Sequence, residues 1–108
     1  LQFGRHGAGL VVGDVLELIL RGHITEGENA TRRCPLVLVD HHLAVLDEGH
    51  TLVLQPGIHI AYNPRGEAMV AVQGEERPMG PDYALRLNLN GPLRLTGIKG
   101  CLLVASIV

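Results

Sequence analysis

The chain has 108 residues, enough for one domain with a single core, and 46% of them are apolar. Only 3% are aromatic and none is Trp, so the core has to be built from Leu, Val, Ile and Ala, and recognition by stacking has little to work with. Nine basic residues face eleven acidic ones for a formal net charge of −2, which provides no basic patch for phosphates and argues against a nucleic-acid partner.

Residues 1–9 contain three glycines and little apolar material, which predicts a flexible arm at the start of one domain spanning 1–108. The segment 15–21 fits two periods. Asp14 as cap, Glu17 at the capping-box position and Gly22 as stop describe a short helix, with Val15, Leu16, Leu18 and Ile19 on one stripe. Leu16, Leu18 and Leu20 alternating with Glu17, Ile19 and Arg21 describe a strand. The strand is the expectation, because the remainder of the chain is β-like. Residues 22–35 read as a loop, within which Asn29-Ala30-Thr31 is a formal glycosylation sequon.

Short apolar runs then recur at 36–40, 43–46, 50–54, 58–62 and 67–73. They are broken at Asp47-Glu48-Gly49, Gln55-Pro56-Gly57 and Asn63-Pro64-Arg65-Gly66. The polar, Pro/Gly-rich stretch 74–82 reads as an exposed loop. Further strands follow at 83–89, 93–96 and 101–107, separated by Asn90-Gly91-Pro92 and by Gly97 to Gly100. This spacing predicts an all-β fold, an antiparallel β-sandwich of jelly-roll type in preference to a small barrel. Alternation predicts a hairpin in which Leu89 meets Leu93 and Leu87 meets Leu95. Its other face would bring Asn88 near Arg94 and Arg86 near Thr96. Arg86 and Arg94 are therefore interface candidates, in a chain whose only Lys is Lys99.

Six histidines are the most chemically suggestive feature, yet no HxH, HExxH or CxxC spacing is present. His41 and His42 are adjacent, so on a strand they point to opposite faces. Ser106 is the only Ser and lies in an apolar run, outside any nucleophile-elbow context. Cys34 and Cys101 lie far apart, and both reduced and buried is preferred to a bond between them. No charged segment leads into an apolar stretch and no run reaches membrane-spanning length, so neither a signal peptide nor a membrane partner is expected.

Two local resemblances to known families add to these readings. The run from Gly49 through Pro56 and Gly57 to His59, ending at Asn63, is similar to the second conserved motif of cupins. Pro56 stands one position away from the motif's place, and His59 follows Gly57 after one residue instead of two. The first cupin motif, with two histidines and a glutamate, has no counterpart upstream. The resemblance implies a cupin-like metal-binding protein or enzyme with His59 as its one inherited ligand. With the partners missing, the expectation is that His59 binds no metal and that the chain carries no cofactor. Leu85-Arg86-Leu87 followed by Gly91-Pro92-Leu93-Arg94-Leu95-Thr96-Gly97 looks like the closing strands of the nucleoplasmin core. That resemblance implies an oligomeric jelly roll that chaperones basic partners, although no long acidic tract accompanies it.

Residues 101–108 are almost wholly apolar and carry no side-chain charge. Such a strand at a sheet edge invites pairing with another chain, which makes Leu102, Val104 and Ile107 interface candidates. Its last three residues also match a PDZ-ligand pattern. The main functional expectation is a non-enzymatic structural subunit that associates with copies of itself or decorates a larger particle, of the viral coat or capsid-decoration type and located in a virion. The cupin-like and nucleoplasmin-like readings stand as alternatives.

Overall fold

The computed structural model describes residues 5–6, 10–32 and 41–107, with side chains for 12–31 and 42–107. The strand expected at 36–40 lies outside the described residues, as does most of the 1–9 arm. Arg5–His6 (β1) and Leu10–Val11 (β2) form a small antiparallel ladder, and Val12–Leu20 is a helix (α1). A 3-10 turn follows at Ala30–Arg32. Eight strands then run in sequence: His41–Leu46 (β3), Thr51–Leu54 (β4), Gly57–Asn63 (β5), Ala68–Val72 (β6), Glu75–Met79 (β7), Tyr83–Leu89 (β8), Leu93–Lys99 (β9) and Leu102–Ile107 (β10).

These strands pair as a nested ribbon. β6 pairs with β7, β5 with β8, β4 with β9 and β3 with β10, all antiparallel. The ribbon is folded at Gln73-Gly74, where both residues have positive φ (53° and 82°), as a two-residue type I′ hairpin requires. Rolling it up adds the pairs β10–β5 and β9–β6 and gives two sheets, β3-β10-β5-β8 and β4-β9-β6-β7. This is the β-sandwich with jelly-roll strand order.

Between the sheets lies one core, built from Leu46, Leu54, Ala61, Val70, Met79, Leu85, Leu93, Leu95, Leu102 and Val104. The first sheet is apolar on its other face too. Ile58, Ile60 and Tyr62 of β5, Ala84 of β8, and Leu103 and Ala105 of β10 point away from the second sheet. The helix covers them with Val12, Val15, Leu16 and Ile19 at i, i+3, i+4 and i+7. The strand expected over 15–21 is therefore corrected to a helix. Its stop is a Schellman turn, in which the N–H of His23 donates to Leu18 O at 2.8 Å and that of Gly22 to Ile19 O at 3.0 Å. Gly22 takes the left-handed φ of +79° that this turn needs.

Two further expectations change. The 83–89 and 93–96 strands do not form a hairpin: β8 belongs to the first sheet and β9 to the second, and Asn90-Gly91-Pro92 crosses between them. Leu89 and Leu93 do share the inter-sheet core, whereas Arg86 and Arg94 stand on the outer faces of different sheets. The loop expected over 74–82 contains β7, an edge strand carrying Glu75, Glu76, Arg77 and Pro78. Charge and proline blunt such an edge and hide its strand pattern from sequence reading.

A buried polar knot ties the loop before the sandwich to the first sheet. The Tyr62 hydroxyl donates to the Asp82 carboxylate, and the Thr31 N–H donates to the same oxygen at 3.3 Å. Burial first, then the Asp82 hydrogen bond and charge, push the Tyr62 phenol far above its ordinary range. A raised folded-state pKa means that the unfolded chain ionises first, near pH 10, while the native phenol keeps its proton. Stability from this group is therefore complete below pH 10 and is lost as pH climbs above it, at about 1.4 kcal/mol per pH unit. The difference in urea-unfolding free energy between wild type and Tyr62→Phe should shrink over that window. A constant difference to pH 11 or beyond would contradict the buried placement.

Candidate functional site

His59 is the one buried histidine among the described residues. Alternation along β5 puts it on the same face as Ala61 and Asn63, toward the second sheet. Its lateral neighbours on that face are Ser106 of β10 and Leu87 of β8, with His42 beyond Ser106. The ring is held at both nitrogens. Nε2 lies 2.7 Å from Gln55 O, and Nδ1 lies 2.6 Å from Ser106 Oγ. A carbonyl can only accept, so Nε2 carries the proton, and in the neutral ring Nδ1 accepts from the Ser106 hydroxyl. Sequence reading discounted Ser106 because it lies in an apolar run outside any nucleophile-elbow context. Its partner arrives from 47 positions away, through the β10–β5 register.

Asn63 closes the other end of β5. Its Nδ2 donates to Gly66 O, Met79 O and Gly80 O at 2.8–2.9 Å, and its Oδ1 accepts from the Arg65 N–H at 3.2 Å. Asn63 therefore staples the β5–β6 turn to the end of β7. The run that resembles the cupin motif spans β4, the turn and β5, with His59 near the start of β5 and Asn63 at its end.

The remaining expected site residues separate. Leu102 and Val104 are buried on the inner face of β10, and β10 is an interior strand flanked by β3 and β5, so neither reaches a partner. Ile107 is exposed at the end of that strand, and Arg94 is exposed on the outer face of β9 opposite Val53. Arg86 is half-buried on the outer face of β8 and lines a cleft of about 370 Å³ with Gly22, His23, Ile24, Thr25, Glu26 and Asn88. A second cleft, of about 460 Å³, is lined by Glu28, Glu67, Glu75, Glu76, Arg77 and Tyr83, among others, next to the β7 edge. Cys101 is exposed rather than buried, because it sits in the bend just before β10. Partial desolvation and the neighbouring Asp47 raise its thiol above the ordinary range, away from nucleophilic reactivity. Cys34 lies outside the described residues.

No family model and no curated protein matches the chain. Solved structures of similar fold include a conserved protein of unknown function from Streptococcus pyogenes, at 20% identity and TM-score 0.45, covering 64% of this chain and 66% of that one. A cupin protein from Bacteroides fragilis is similar at 16% identity and TM-score 0.42, covering 63% and 64%. KdgF from Halomonas sp. is similar at 14% identity and TM-score 0.41, covering 79% and 94%.

The expectation of a coat or capsid-decoration subunit is corrected by the strand order. The association it required was to run through an exposed apolar terminal strand, and that strand is interior to its own sheet.

Removing one member of the His59–Ser106 pair tests its geometry. Ser106→Ala leaves a buried ring nitrogen without its donor and should cost about 1–3 kcal/mol in urea unfolding. Adding His59→Leu to it should recover part of that loss, because an apolar pair leaves nothing unsatisfied. A single variant as stable as wild type would show that the bond is not made.

Proposed function

We propose that the chain is a cupin-like β-sandwich protein that meets a small polar molecule at the His59 end of its inter-sheet space, through the Ser106–His59 pair. The observation that carries this is the setting of His59: an inward-facing imidazole with a carbonyl fixed on one nitrogen and a hydroxyl on the other. The Gln55 carbonyl sets the tautomer, so the ring can accept a proton only at Nδ1, and Ser106 stands there. A hydroxyl, its base and a group that orients the base are the parts of an activated hydroxyl. Ser106 Oγ keeps its proton on Nδ1 and offers its remaining lone pairs to a donor on the ligand, while the neutral ring keeps its Nε2–H on Gln55 O. Ser106 is then the atom that touches ligand, and His59 is its proton partner.

A cupin-type metal does not fit these residues. Both nitrogens of His59 are engaged, and the described residues hold no group of three or more His, Cys, Asp or Glu able to surround an ion.

The test is a screen of small alcohols, esters and sugars read by the ring-nitrogen NMR signals of His59. Ligands are expected to shift those signals, and Ser106→Ala should weaken binding about tenfold, the value of one well-made hydrogen bond. Stoichiometric iron, nickel, manganese or zinc that is lost on His59→Ala would overturn the metal-free reading. Ligands that bind elsewhere and leave the His59 signals unmoved would overturn the site.

A further inference from the structure

We propose that the cleft between residues 22–26 and the free edge of β8 binds a small zwitterion of the α-amino-acid kind, its carboxylate on Arg86 and its ammonium on Glu26. This site is independent of the His59 end, because Arg86 faces outward from the sheet whose inner face carries His59.

The cleft exists because two elements part company. Gly27 pairs with Ala84 as a single antiparallel bridge, after which the 22–26 segment leaves the edge of β8 and turns into the end of α1. The gap, about 370 Å³, falls at the small end of the range for ligand pockets. Gly22 helps to keep it open: a Cβ there would stand 4.0 Å from Arg86 Nη2, so any longer side chain would reach the guanidinium.

Arg86 is the feature that calls for a ligand. Its Nε is shielded from solvent and has no acceptor among the described residues. A guanidinium N–H withdrawn from water without an acceptor is unfavourable, so the side chain gains by turning its Nε/Nη fork into the cleft, where it matches a carboxylate in bidentate geometry. Glu26 does not supply that acceptor. Its carboxylate instead takes the backbone N–H of Arg86, and no ion pair joins the two side chains. One cleft thus holds a cation and an anion that do not neutralise each other directly. A simple anion would meet Glu26 and a simple cation would meet Arg86. A zwitterion satisfies both, with Thr25 and Asn88 as the flanking polar side chains.

The full chain titrated calorimetrically with the twenty α-amino acids, and with the N-acetyl and carboxamide derivatives of any that bind, decides this. At least one amino acid should bind, and blocking either its amine or its carboxylate should cut affinity tenfold or more, about 1.4 kcal/mol. Arg86→Lys keeps a positive charge beside the end of α1 but loses the fork, so it should lower affinity by a similar factor with an unchanged melting temperature. Glu26→Gln should weaken the free amino acid and spare its N-acetyl derivative. The Arg86 Nε–H signal in the NMR spectrum should shift on binding, a readout that needs no variant. Absence of binding up to roughly 10 mM, beyond the millimolar range of a weak site, overturns the proposal. So does equal affinity for the N-acetyl acid, or binding that leaves the Arg86 Nε–H unmoved.

Discussion

The fold depends on a sheet that is apolar on both faces. β5 and β10 are the two inner strands of β3-β10-β5-β8, and over Ile60–Tyr62 and Leu102–Ala105 their apolar side chains alternate between two separate cores. Ala61, Leu102 and Val104 fill the space between the sheets, while Ile60, Tyr62, Leu103 and Ala105 need a cover of their own. A two-layer sandwich cannot satisfy both. The helix over Val12–Leu20 is the third layer, and its position decides where the 22–32 segment runs and which parts of β8 stay open.

That constraint explains which features were legible in the sequence. Strand boundaries set by turn residues were readable to within a few positions, from β3 through β10 with the exception of β7. β8 was read at Tyr83–Leu89, as observed. β7 was invisible because an edge strand advertises itself by polarity, and Glu75-Glu76-Arg77-Pro78 looks like any loop. The α1 segment satisfied both periods, and the choice turned on context: β neighbours were taken to favour another strand. The opposite inference was available from Ile58-His59-Ile60-Ala61-Tyr62 and Leu102-Leu103-Val104-Ala105. Runs without polar alternation are buried on both faces, and a chain rich in them needs a helix to cover one face.

Pairing was harder to read than the elements, for a reason of chain length. A neighbouring strand is the cheapest partner by loop closure, which is why Leu89–Leu93 and Leu87–Leu95 read as a hairpin. In the rolled ribbon only β6–β7 is such a hairpin among the eight sandwich strands. Every other pair closes over the strands nested inside it, and nothing in the local pattern of either strand records its partner. The Ser106–His59 pair is a product of that register and shares its invisibility. The same misjudgement sustained the capsid expectation: a terminal apolar strand was treated as an edge, when the ribbon places the last strand between the first and the third of the eight.

Both proposed sites grow out of how one sheet is covered. On the inner face, β10 brings a hydroxyl against the inward histidine of β5, close to the β4–β5 turn. On the outer face α1 lies over β5 and β10, and β8 at the edge of the sheet keeps an uncovered stretch. Gly22 turns the chain back, and Glu26 and Gly27 reach the β8 edge to occupy the N–H of Arg86 and both backbone groups of Ala84. Only part of that edge is satisfied in this way. A free edge left long and apolar would invite another strand, but this one carries Arg86 and Asn88 on its open stretch. Charge at an uncovered edge prevents association with other strands whatever else it does. The buried, unpartnered Nε of Arg86 goes beyond that, since a purely protective arginine gains nothing from withdrawing its Nε–H from water.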